Sequence, residues 1–476
     1  MNDPLLVNDV HSELNATRVD RVLMPTCIDE LVAAVNSARA AGAQISVCGA
    51  RHAMGGQQFG SGTWLIDMRQ HSAVHGFDLE RGLVTADAGI QWPALIEACT
   101  AQAASSKGVQ WGIRQKQTGA DRLTLGGSLA ANIHGRGLRM PPIVDDVEAF
   151  TLIGADGAPC QCSRTQNPDL FALAIGGYGM FGVIADVTLR LMPRVPVERM
   201  VEIMTLDELV RVPEERDTAD WMFGDFQYSI DERSPDFLRR GVFCAYRRCQ
   251  ERPADAPVRH LGESDWIDLL WTAHAERERI FDAYSGFYMS THGQRYWSDT
   301  HQQGIYPDGY HTALDLRMGA HCKCSEMISE LYVPRAALVA FMTQAADLLR
   351  SGETPVIYGT IRLIERDTET LLAWAREPWA CVIFNLHCEH SPNGLERAAA
   401  AFRGLIDIAI ALGGSYYLTY HRWATRAQVE AAHPRFREFL AEKAARDPNE
   451  LFTSDWYRHH RELFEASSGR AHAPTL

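Results

Sequence analysis

The sequence predicts an α+β protein, and three observations carry that reading. Through residues 1–196 short apolar runs alternate with segments of helical spacing. From residue 197 to 415 the pattern changes to isolated strands separated by helices, which suits an antiparallel sheet with helices on one face. Two glycine-rich stretches stand out, residues 45–59 (ISVCGARHAMGGQQF) and 124–137 (TLGGSLAANIHGRG), and the second leaves almost no side-chain bulk, so something large and flat can lie against its backbone.

The first element is a helix over residues 28–41, with Leu31, Val32, Val35 and Ala38 at helical spacing and a stop at Gly42. Residues 45–48 then read as a buried strand breaking into a loop with Gly49, Arg51, His52, Gly55 and Gly56. Glycines after a strand let consecutive N–H groups turn toward one point, which is how a loop cradles a pyrophosphate. Strands follow at 64–67 and 83–86, and a helix begins near Trp92. Gly177, Gly179 and Gly182 satisfy Gly-x-Gly-x-x-Gly, but a helix (168–175) precedes them and a strand (183–191) follows. A dinucleotide fingerprint needs the reverse order, so NAD is rejected. Residues 192–196, MPRVP, punctuate a domain exit. Beyond it strands are expected at 226–230, 242–246, 356–364 and 381–388, with a helix at 335–350. Nine aromatics from Trp271 to Tyr310, Tyr306 among them, read as core, interface or substrate channel.

Composition narrows the function. With 476 residues, two or three domains are expected; 46% hydrophobic and 22% charged residues belong to a soluble globular chain. A formal charge of −14 argues against nucleic acid or an anionic membrane as the main partner. The N-terminal residues lack a basic stretch followed by an apolar core, and no run approaches a membrane span, so a cytoplasmic location is expected. Eleven cysteines fit reduced thiols. Cys160 with Cys162, Cys322 with Cys324, and His387 with His390 lack the further ligands of a zinc site, and no metal is expected.

The two glycine-rich stretches, the 177–184 segment and the C-terminal YYLTYHRW and DPNELFTSDWYRHH together resemble the vanillyl-alcohol oxidase and p-cresol methylhydroxylase superfamily. The nearest likeness is to alditol, aldonolactone and decaprenylphosphoryl-ribose oxidases. The resemblance implies a two-part FAD-binding domain of the PCMH type (residues 1–196 and 416–476) with an inserted substrate cap (197–415). Residues 467–476 are expected to fray. It implies cofactor contacts from Cys48, Gly49, Ala50, Arg51, His52 and Ala53, with His52 bonded covalently to the flavin. Thr124, Gly126, Gly127, Asn132, His134 and Gly135 fall on the second flavin motif, Thr124 also holding substrate, and Val183 or Ile184 on the adenine end. Tyr417 and Tyr420 fall near the ring, Tyr420 where the ribose oxidases carry a lysine.

The residues name further candidates for chemistry at the ring. Strand alternation puts Thr360 and Arg362 on one face, where Arg362 can stabilise negative charge; the resemblance places it on the arginine of the alditol oxidase Glu-x-Arg pair, with Thr360 at the glutamate's position. Asn385 and His387 share a face of the next strand, and His387 can take a hydroxyl proton. The expected activity is oxidation of a CH–OH group of a small molecule, with O2 as acceptor. Leu123 is bulkier than the residue that controls oxygen access in aldonolactone-type relatives, which keeps a dehydrogenase open. An amine oxidase, an oxidative cyclase, and a flavin-binding protein without turnover are the rivals. The oligomeric state is not legible.

Overall fold

The computed structural model describes residues 3–105, 108–254, 258–304, 307 and 309–465. Tyr306 and residues 467–476 lie outside these. The N-terminal part holds a parallel three-stranded sheet of order β1-β3-β2, formed by β1 (Arg21–Leu23), β2 (Ile45–Cys48) and β3 (Trp64–Asp67). Between β1 and β2 runs α1 (Ile28–Ala41), which buries Leu31, Val35 and Ala38. It ends where Gly42 adopts φ 65°, and Ala43 N–H closes the turn on Ala38 O at 2.9 Å. An antiparallel sheet of order β7-β6-β8-β5-β4 joins β4 (Val74–Asp78), β5 (Leu83–Asp87), β6 (Val147–Ile153), β7 (Pro159–Ser163) and β8 (Val183–Arg190). With α2 (Trp92–Ser105) and α3 (Leu125–Ala131) these elements share one core that includes Ile45, Leu95, Leu129, Phe150 and Val187. As the sequence predicted, the Gly-x-Gly-x-x-Gly segment runs from α4 (Pro168–Ala174) into β8.

The second part is organised by an eight-stranded antiparallel sheet of order β12-β9-β11-β10-β14-β15-β13-β16. Its strands are β9 (Pro196–Thr205), β10 (Trp221–Tyr228), β11 (Arg240–Arg248), β12 (Arg295–Trp297), β13 (Cys324–Pro334), β14 (Val356–Ile364), β15 (Trp379–Glu389) and β16 (Ser415–Tyr416). Side chains alternate across a strand, so register fixes which residues share a face. Phe226, Phe243, Ile361, Val382 and Phe384 pack beneath α5 (Leu338–Ser351) and α6 (Pro392–Ala411), against Phe341, Met342, Phe402 and Leu405. Each such fully buried side chain contributes roughly 1.5–3 kcal/mol. The opposite face carries Arg199, Asp225, Gln227, Tyr246, Glu326, Thr360, Arg362 and Asn385, and all of these line a cavity.

The chain then returns to its beginning. Ile45 N–H donates to Leu451 O at 2.6 Å and Thr453 N–H donates to Ile45 O at 2.8 Å, adding a parallel bridge beside β2. The helices α7 (Arg426–Ala432), α8 (Phe436–Arg446) and α9 (Asp455–Glu465) place Val429, Phe436, Phe439 and Trp456 in the same core as α6 and Phe181. No helix among the described residues is long and apolar enough to cross a membrane.

Candidate functional site

A cavity of about 910 Å³ lies between the glycine-rich loops and the polar face of the eight-stranded sheet. Gly49 to Ala53 form one wall, with Arg51 at φ 65° and its Nη2 3.1 Å from Asp67 Oδ2. The loop is held from outside. Met54 N–H donates to Thr419 O, and Asn15 Nδ2 donates to Met54 O at 2.6 Å. The second glycine stretch meets it directly: a Cβ on Gly49 would fall 2.0 Å from Thr124 Oγ1, and one on Gly126 would fall 2.8 Å from Ala88 Cβ. Only glycine permits that approach.

A flavin dinucleotide needs bare backbone for its pyrophosphate, an apolar slot for adenine and donors at the ring. The residues present fit. Gly49, Gly126 and Gly127 line the cavity together; Arg51 Nε is buried without an acceptor; Val183 and Ile184 supply an apolar wall beside Gly182. Farther along, Arg362 is 7% exposed with Nε and Nη1 unpaired, and Thr360 Oγ1 is unpaired as well. Buried polar atoms are ordinarily satisfied, so an arginine with two free donors marks a place where a ligand supplies acceptors.

Cys48, Gly49, Ala50, Arg51, His52, Ala53, Thr124, Gly126, Gly127, Val183, Ile184, Arg362, Asn385 and Tyr420 all line the cavity. Four expected residues do not. Asn132 caps α3 at φ 49°, with its side chain held by Asp367 at 2.9 Å. His134 Nε2 lies 2.8 Å from Glu330 Oε1, and Gly135 sits where a Cβ would meet Lys116 O at 2.8 Å. These three brace the wall from behind. His387 also stands behind the wall, its Nδ1 3.7 Å from Glu326 Oε1. His390 is turned elsewhere, its Nε2 2.8 Å from Ser325 Oγ. Of the nine aromatics, Phe287, Tyr288, Tyr296 and Tyr310 reach the cavity, while Trp271 and Trp297 sit under Arg317 and Arg194.

Several groups escaped the sequence reading. Glu326 lines the cavity and is met by His274 Nε2 at 2.9 Å, His311 Nδ1 at 3.1 Å and the Tyr310 hydroxyl. Burial alone would push its carboxyl up; hydrogen bonds from His274 and His311, with the His387 ring nearby, outweigh that and hold it well below the ordinary range. Ligand atoms of His274, Glu326 and His387 lie within 4.8 Å of one another, with His274 hydrogen-bonded to Glu326. Glu330 accepts from Tyr332 at 2.5 Å and from Tyr420 at 3.0 Å; despite burial, His134 and Tyr332 hold its carboxyl low. His52 Nδ1 lies 2.7 Å from His11 Nε2. Burial, then the charges of His11 and Arg122, push His52 well below the usual imidazole range, so its ring is neutral.

Residues 19–163 match a family described as an FAD binding domain. The chain is similar to L-galactono-1,4-lactone dehydrogenase 1 of Oryza sativa subsp. japonica, 30% identical over 145 residues, 30% of this chain and 24% of that one. It is also similar to L-gulonolactone oxidase of Mus musculus, 29% identical over 171 residues (36% and 37%), and to D-arabinono-1,4-lactone oxidase of Yarrowia lipolytica, 26% identical over 200 residues (41% and 36%). The matched stretch thus spans less than two fifths of the length of these relatives. Residues 19–163 are an FAD-binding domain by this match, several relatives over that stretch are aldonolactone oxidases and dehydrogenases, and the cofactor is FAD.

Proposed function

We propose that the protein is an FAD-dependent oxidoreductase that takes hydride from a CH–OH group of a small molecule and passes the electrons to O2. FAD, when bound, supplies the hydride acceptor and the electron carrier. One observation carries the reading: Arg362, with two buried donors free, faces the same cavity as the glycine loops, Tyr420 and Asn385. Its fixed charge would stabilise negative charge arising beside it, and it needs no reorganisation to do so. Tyr420 donates to the ionised Glu330, so its oxygen is free to accept a hydrogen bond from a substrate hydroxyl. Glu326, four residues along β13 from Glu330 and held by His274 and His311, can accept a hydrogen bond from a more distant polar group of the substrate. Asn385 and Thr124 complete the walls around the reacting carbon.

The same reading assigns residues 1–196 and 416–476 to the flavin domain and 197–415 to the substrate cap, with His52 bonded to the flavin. Leu123 lines the cavity beside Thr124 and favours a second reading, a dehydrogenase, because its bulk can deny O2 access. The deciding experiment is anaerobic: polyols, aldonolactones, amino alcohols and phenolics are mixed with the holoprotein and flavin bleaching is followed. Bleaching by a hydroxyl compound supports the reading. Bleaching by amines alone, or by none, refutes it. Peroxide formed on turnover in air separates oxidase from dehydrogenase.

A further inference from the structure

We propose that the end of the cavity away from Arg362 is a carboxylate-binding subsite, built from Arg136, Arg199 and Tyr246, so that the substrate is an organic acid oxidised at a carbon several bonds from its carboxylate. The inference rests on the oxidoreductase reading for the word substrate, but not for the subsite.

Arg136 and Arg199 both line the cavity and each is 8% exposed. Their guanidinium carbons lie 4.7 and 5.6 Å from the centroid of the same ring, Tyr246, and Arg199 lies 4.6 Å from that of Tyr288. Aromatic faces hold a guanidinium in place without neutralising it. Arg136 gives Nη2 to His301 O at 2.7 Å and meets Asp225 Oδ1 at 3.5 Å, while its Nε is unpaired. Among the described residues the Arg199 guanidinium donates to the Cys244 sulfur at 3.5 Å, and its Nε is unpaired. Among the described residues no carboxylate lies within 4.0 Å of Arg199. Asp225 is shared further with Gln227 Nε2 at 2.7 Å.

The neighbouring titratable groups do not balance the account. Burial pushes the Cys244 thiol up to about 11 and the Tyr246 hydroxyl up to about 12, so both are neutral. His301 is kept neutral by burial and by Arg136. Two guanidiniums therefore face one carboxylate in a buried place, leaving one uncompensated positive charge. A monoanion restores neutrality; a phosphate dianion would overshoot. Planar guanidinium donors also match the two oxygens of a carboxylate.

Register gives the length. Arg199 pairs with Tyr246, Cys244 with Asp225, and Phe226 with Ile361, so Arg199 stands three strands from Arg362. At strand spacing that is roughly 14 Å between backbones, shortened by the reach of both side chains.

The test uses matched pairs of similar length, D-gluconate with sorbitol and 6-hydroxyhexanoate with 1,6-hexanediol, on the holoprotein. Calorimetric titration and thermal melting read binding without turnover. Expected is at least tenfold tighter binding of each acid than of its neutral partner. Arg199→Gln should remove that preference and Arg199→Lys should keep part of it. If neither acid is preferred, or if Arg199→Gln folds and keeps the full preference, the subsite is overturned. Should Arg199→Gln fail to fold, the wild-type preference and its loss with added salt decide. Acids that bind tightly without any compound bleaching the flavin would strike the oxidoreductase reading and leave the subsite standing.

Discussion

At Arg362 the difference between a structural and a chemical arginine is a matter of acceptors. A solvated-face arginine would be exposed or paired, whereas Arg362 is 7% exposed with two nitrogens unsatisfied. We expect Arg362→Met to keep its flavin and to slow flavin reduction about a hundredfold, corresponding to the roughly 3 kcal/mol of a preorganised donor. Rapid-mixing reduction rates with unchanged flavin content check this; an unaltered rate would remove Arg362 from the site. His52 has a different test. Its neutral ring, 2.7 Å from His11, is in the protonation state a nucleophile needs. Acid precipitation should leave yellow colour in the pellet and an intact mass raised by one FAD. Because the folded His52 is depressed well below the usual range, attachment should proceed equally from about pH 6 to 9. Colour released wholly to the supernatant would refute the bond.

The strands behave as two surfaces sharing one backbone. Ile361 faces the helices and Thr360 the cavity, one residue apart. Ile361→Ala should cost about 2–4 kcal/mol in denaturant unfolding and spare ligand affinity. Thr360→Val should leave stability within about 1 kcal/mol and alter binding or flavin reduction. The reverse outcome would mean the faces are misassigned. Here the limits of sequence become physical. The elements α1, β2, β3 and β14 were legible to the residue, because apolar spacing and glycine punctuation agreed locally. The strand β13 was not, since Glu326 and Glu330 disfavour a strand in isolation. Alternation accounts for both afterwards: together with Ile328 they face the side opposite Met327 and Leu331. Arg136 and Arg199 were likewise invisible, because nothing local says that a guanidinium will lie over a tyrosine from another strand. The glycine loops carried their own signal. The partners of those loops, from Asn15 to Thr419, are set only by tertiary packing.

Across the whole molecule the first and last parts of the chain complete one another. Gln57 Nε2 donates to Leu418 O at 2.7 Å, Met54 N–H reaches Thr419 O, and Ile45 is bracketed by Leu451 and Thr453. On a ribosome, Gln57 emerges 361 residues before the Leu418 carbonyl that holds it. The glycine loop must therefore wait, and firm capture of FAD comes late in synthesis, after the cap strands have been made. A chain stopped at Gly414 should then be recovered without flavin even when FAD is abundant, as absorbance at 450 nm per protein would report. If that shortened chain binds FAD as well as the full one, the loop is self-sufficient. If it does not, the cofactor becomes a mark of completed translation: an unfinished copy stays colourless, and a yellow molecule is one whose distant segments have already met.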